Sequence, residues 1–160
     1  MSSFRFFIFL LILFFAHLLL YQYLSVGRIF PDLFLVAVVY CALRLGPTGG
    51  SVSGFICGMV QDSFSYTYFG LHSAVKTAVG FAVGKARHSF FSNNYLVQMA
   101  IIFAAKIIHD IIFYAFYFSG GEESFWSRIF LETLPSAVYT SVLGVALFII
   151  LRIKTATKSL

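Results

Sequence analysis

The sequence predicts an all-α membrane protein, a bundle of six transmembrane helices, and three observations predict it. Of its 160 residues, 60% are hydrophobic and 11% charged, whereas a soluble domain carries about a quarter charged residues. The apolar residues come in solid runs. Barrel strands would instead alternate polar and apolar positions over about ten residues, and lipid tolerates only helices or closed barrels because unpaired backbone groups are costly there. All Lys and Arg residues except Lys76 and Lys106 fall at the ends of the runs or in the breaks between them, as expected of loops flanking spans.

The first run, "FRFFIFLLILFFAHLLLYQYL" over residues 4–24, is long enough for about 30 Å of hydrocarbon at 1.5 Å per residue. It exceeds the roughly 7–15 apolar residues of a signal peptide, and no small-x-small cleavage site follows, so it reads as an uncleaved span. The second run, residues 31–45, opens at Pro31, a residue suited to a first helical turn, and is short for a span. "GPTGG" at residues 46–50 breaks it. The third run, residues 48–62, follows so closely that the two must form an antiparallel hairpin. Residues 69–85, 95–118 and 127–153 supply the fourth, fifth and sixth spans. The connectors "SFSYTY", "ARHSFFSNN" and "SGGEES" are too short for a second domain, so residues 1–160 form a single integral membrane domain.

If six spans alternate, Arg5, Arg44, Lys85, Arg87, Arg152, Lys154 and Lys158 share one side, with Arg28 and Arg128 on the other. Positive charge marks the cytoplasmic side, which puts both termini there. Asp32, Asp62, Glu122, Glu123 and Glu132 gather at the opposite ends, as do Tyr21, Tyr23, Tyr66, Tyr68, Tyr117 and Trp126, whose amphipathic rings favour the interface.

Gly50, Gly54 and Gly58 recur every four residues in span three, and Gly80 and Gly84 repeat the device in span four. Small faces let backbones approach in lipid, where packing drives association, so span three is expected at the central contact of the bundle. The plain reading is packing within one chain; the sharper one reserves a face for a partner helix or ligand. Charges inside spans cost about 2.5–3.5 kcal/mol each on insertion scales unless paired or hydrated. Lys106 and Asp110 are one turn apart and can pair, His109 and His72 lie at similar depth, and Lys76 can reach Asp62 if spans three and four are neighbours. The expectation is an intramembrane polar cluster of Asp62, Lys76, Lys106, His109 and Asp110 in the outer half. It is either structural neutralisation, aided by snorkelling lysines, or a pocket or proton path. Cys41 and Cys57 have no metal spacing and read as small packing residues, and the four histidines form no metal pattern. No phosphate loop, nucleophile elbow or paired-carboxylate motif occurs, so neither enzyme chemistry, a cofactor nor a metal is expected. The formal charge of +5 suits anionic lipid headgroups rather than nucleic acid.

The segment "FPDLFLVAVVYCALRLGPTGGSVSGFICGMVQDSFSYTYFGLHSAVKTAVGF", residues 30–81, resembles the rod shape-determining protein MreD family. The resemblance lies in a proline-started second span, a run into Leu-Gly-Pro, Gly-Phe-x-x-Gly-x-x-x-Asp, and a following Phe-Gly-Leu. It implies a fold similar to the S-components of energy-coupling factor transporters. It also implies a non-enzymatic inner-membrane subunit of the bacterial elongation machinery, working with MreC, MreB, RodA and a penicillin-binding transpeptidase in lateral peptidoglycan synthesis. Pro31, Gly46, Gly54, Gly58, Asp62 and Gly70 match the family pattern and are expected to serve fold and partner surface. A second reading stays open, in which a related subunit uses Asp62 and Lys76 to hold a polar, vitamin-like substrate for uptake.

Overall fold

The computed structural model describes residues 29–64, 69–90, 94–117 and 125–156, so the expected first span at residues 4–24 lies outside the described residues. Four long helical stretches follow in order: α1 (Leu33–Asp62), α2 (Leu71–Phe90), α3 (Tyr95–Tyr117), and a last one assembled from α4 (Phe125–Arg128), a π-helical segment (Ile129–Thr133) and α5 (Leu134–Ala156). Three stretches are long and apolar enough to cross a membrane by length and composition, namely Leu33–Asp62, Tyr95–Phe116 and Phe125–Ile150. α2, interrupted by His72, Ser73, Lys76 and Thr77, does not reach that threshold.

By length α1 is one helix of 30 residues, yet Gly46 inside it has φ 81° and ψ −164°, a backbone region that only glycine occupies at low cost. The chain turns back there. A Cβ built on Gly50 would lie 2.9 Å from the Ala42 Cβ, an approach impossible eight residues along a straight helix, where the rise is about 12 Å. Further from the turn, Leu33, Phe34, Ala37 and Val38 pack with Cys57 and Val60. α1 is therefore an antiparallel hairpin of two arms, residues 33–45 and 47–62. The helix begins two residues later than expected: Pro31 precedes it, and Asp32 is its N-cap, accepting from the Leu35 N–H at 2.9 Å. A carboxylate at this position satisfies a donor that no helical carbonyl can reach.

The glycine-rich arm is not the most enclosed element. Leu33 to Val39 are buried on every side, so the 33–45 arm occupies the centre; its seven consecutive apolar side chains leave no face for water. Leu35, Val36 and Val39 meet Val75 and Val79 of α2, Ile102 and Ala105 of α3, and Phe148 of α5 in one core cluster. The glycines of the 47–62 arm serve a pairwise contact with α2 instead. A Cβ on Gly50 would strike the Gly80 carbonyl, one on Gly54 the Lys76 carbonyl, and one on Gly58 the Ser73 backbone. Gly84 closes the series, 2.6 Å from Pro47 Cα to its built Cβ. The two helices thus run antiparallel with their backbones touching over about three turns, the approach that small residues permit. Large apolar side chains stay exposed on the helices, among them Phe55, Ile56, Phe81, Ile108, Val142 and Ile150.

In the last helix the Leu134 N–H bonds to the Ile129 carbonyl, five residues back. Pro135 supplies the reason. It has no N–H, and its ring crowds the carbonyl four residues earlier, so a widened turn just before it relieves the clash. α2 extends to Phe90, five residues beyond the expected end.

Candidate functional site

The described buried charges collect at the end of the bundle away from the Gly46 turn. Asp32 is the hub. Its Oδ1 caps α1, its Oδ2 accepts from Lys76 Nζ, and its own N–H donates to Thr140 Oγ1 at 3.1 Å. One aspartate thereby ties α1 to α2 and α5. Lys76 is 0% exposed, a burial that an ammonium group survives only when a counter-charge stands against it. On α3, Lys106 Nζ donates to both Asp110 oxygens, at 2.6 and 2.7 Å, and His109 Nδ1 lies 2.9 Å from Asp110 Oδ1. Both pairs are buried, and the helices that carry Lys76 and Lys106 pack against each other.

An ionised carboxylate only accepts, so a neutral His109 donates its Nδ1 hydrogen to Asp110 and keeps a lone pair on Nε2. That Nε2 is buried with no hydrogen-bond partner among the described residues, as is Nδ1 of His72. The two imidazoles lie parallel, 5.8 Å apart, and His72 stacks on Phe113 at 4.3 Å.

Asp62 belongs to a different arrangement from the expected one. It is fully buried, and its oxygens accept from the backbone N–H groups of His72 and Ser73 at 3.0 and 2.9 Å and from the Ser73 hydroxyl at 2.9 Å. The expected pair between Asp62 and Lys76 is therefore corrected: Lys76 pairs with Asp32, and Asp62 caps α2 from the preceding helix. The cause is geometric. The short connector sets the first turn of α2 against the end of α1, where bare N–H groups outcompete a side chain one turn deeper, and Lys76 is left facing the central arm.

Beside the cluster lies a half-open cavity of about 360 Å³, lined by Lys106 and Asp110, Tyr114, Arg128, Glu132, Ser136 and Phe30. Arg128 Nη1 donates to Glu132 Oε2 at 3.3 Å and the Tyr114 hydroxyl reaches the same oxygen at 3.5 Å. Ser136 anchors the wall by donating to the Phe30 carbonyl at 2.6 Å.

Lys76, Lys106, His109 and Asp110 share the buried cluster, and Asp62 adjoins it through His72. Gly46 and Gly84 lie at the opposite end, where Arg87 Nη1 would come within 2.8 Å of a Cβ on Gly46. Gly50, Gly54, Gly58 and Gly80 line the seam between, Pro31 is buried before the cap, and Gly70 has φ 95° in open space. The sequence reading missed Asp32 as the partner of Lys76, Ser73 and Thr140 as polar ligands, and the cavity. An Asp directly before an apolar run was the available signal for the first. Among the described residues no group of three or more His, Cys, Asp or Glu is placed to hold a metal ion. Cys41 and Cys57 are buried free thiols.

A family model described as rod shape-determining protein MreD matches residues 1–154. No curated protein and no solved structure matches the chain.

Proposed function

The chain belongs to the MreD family of rod shape-determining proteins, and on that premise we propose that it is a non-enzymatic scaffold subunit of the bacterial cell-elongation complex. In this reading it sits in the inner membrane with six spans and both termini cytoplasmic. It binds MreC and joins a complex with MreB, RodA and a penicillin-binding transpeptidase during lateral peptidoglycan synthesis. The observation that carries the reading is the match over residues 1–154. The construction of the bundle supports it: a backbone-to-backbone seam and buried ion pairs hold the helices, while apolar side chains such as Val52, Phe55, Val138 and Val142 stay exposed on faces that suit lipid or partner helices.

Two measurements test it. Tagged protein extracted in mild detergent should carry MreC, and depletion in a rod-shaped host should round the cells until the chain is restored; persistent rods together with preparations free of MreC would overturn the scaffold role. For the topology, cysteines introduced at Ser92 and Ser159 should be shielded from a membrane-impermeant thiol reagent in intact cells, and one at Ser124 should react. The reverse pattern would refute the orientation. The native Cys41 and Cys57 are buried and contribute little background.

A further inference from the structure

The scaffold reading gives the cavity between α3 and the π-helical segment no task. Its charges come as two pairs, each spaced one turn apart on its own helix: Lys106 with Asp110, and Arg128 with Glu132. The formal charge of the described lining is zero, with both signs present on each wall. Such a lining discriminates by pattern. A simple anion attracted by the two cations also meets two carboxylates, and a simple cation meets the converse; a molecule carrying both signs a few ångströms apart satisfies all four.

Depth and size narrow the choice. Trp126 and Phe130, one turn apart on the helix that bears Arg128 and Glu132, are stacked at 6.4 Å and are 65% and 60% exposed. Tryptophan favours the level of lipid headgroups, so this wall of the cavity stands at that level. The volume of about 360 Å³ equals roughly a dozen water molecules at ~30 Å³ each, room for a headgroup with some water.

We propose that this cavity binds a phosphoethanolamine group, its phosphate directed to Lys106 and Arg128 and its ammonium to Glu132 and Asp110. Primary ammonium has three N–H donors for these carboxylates, whereas a trimethylated one has none. Phosphatidylethanolamine and soluble phosphoethanolamine share this chemistry. The inference goes beyond the scaffold role and does not depend on it.

The test uses the full chain in detergent, offered phosphatidylethanolamine, phosphatidylcholine and phosphatidylglycerol of identical acyl chains, with bound lipid read by native mass spectrometry. Phosphatidylethanolamine should be retained about tenfold better than the other two, the scale of one added hydrogen bond between charged groups. Glu132→Gln should bring the three lipids to near parity. A purely structural defect would lower all three alike, so the ratio is decisive, and stepwise N-methylation of the headgroup should erode retention in the parent protein without any substitution. Displacement of the lipid by soluble phosphoethanolamine would show that the headgroup suffices; retention without displacement would assign the site to the lipid. Either result upholds the proposal. Equal retention of the three lipids by the parent protein, or an undiminished preference in Glu132→Gln, would overturn it.

Discussion

At the residue scale, two aspartates that look alike in the sequence do opposite work. Asp32 and Asp62 each stand at a helix end beside a short connector, yet Asp32 neutralises a buried ammonium while Asp62 satisfies two backbone N–H groups and a hydroxyl. Sequence distance pointed to Asp62 as the partner of Lys76, because a carboxylate 44 positions away carries no local signal. Only the fold of the hairpin brings Asp32 across. By contrast the contact of Lys106 with Asp110 was legible, since one helical turn sets it. The distinction yields a prediction. Lys76→Met should destabilise the detergent-solubilised protein by about 3–5 kcal/mol, the cost of stranding a buried charge, whereas Asp32→Asn with Lys76→Met should lose less than the sum of the singles. Asp62→Asn should lower stability independently of Lys76, additively within about 0.5 kcal/mol. Thermal unfolding of the parent, the three single variants and the two double variants decides it: coupling between Asp62 and Lys76, with none between Asp32 and Lys76, would reverse the assignment.

At the scale of elements, the glycine spacing announced a close helix contact and the Gly-Pro break announced a turn, because both depend on backbone sterics that a few residues encode. Which helix would lie against the glycines, and which would be central, was not encoded locally. The centre went to residues 33–45 because those side chains are apolar all round, a property visible in the run but ambiguous in a chain whose every span is apolar. The π turn was also invisible, although Pro135 marks its place. The seam makes a graded prediction. Gly54→Ala already sets a Cβ on the Lys76 backbone and Gly58→Ala on that of Ser73, so both should reduce the amount of folded protein, and Leu at either position should abolish it. Gly70→Ala meets no neighbour and should cost only the strain of a positive φ, about 1–2 kcal/mol. Fluorescence-detected size exclusion of the five variants would show it; folded Gly54→Leu protein at parental yield would mean that the seam can open without harm.

For the whole molecule, helical class and membrane character followed from composition, and residues 30–81 carried the family resemblance. The number of crossings is a property of the bilayer as much as of the chain, and the hairpin at Gly46 shows why. Its arms, residues 33–45 and 47–62, rise about 20 and 24 Å at 1.5 Å per residue, against a hydrocarbon core of about 30 Å. Next to them stand helices such as Tyr95–Phe116, of 22 residues, which rise about 33 Å. The hydrophobic girdle of the protein is therefore expected to be uneven, with lipid bordering the exposed Phe55 and Ile56 of the 47–62 arm compressed relative to lipid on the far side. Mismatch costs fractions of a kcal/mol per ångström, enough over several ångströms to orient the molecule wherever thickness varies. Reconstituted in bilayers of graded acyl length, the protein should be most stable in chains shorter than those that best match a straight 22-residue helix, and a flat response would show that the girdle is even. A bundle so shaped would carry its own thin patch of membrane, and lean on the lipid around it in one direction.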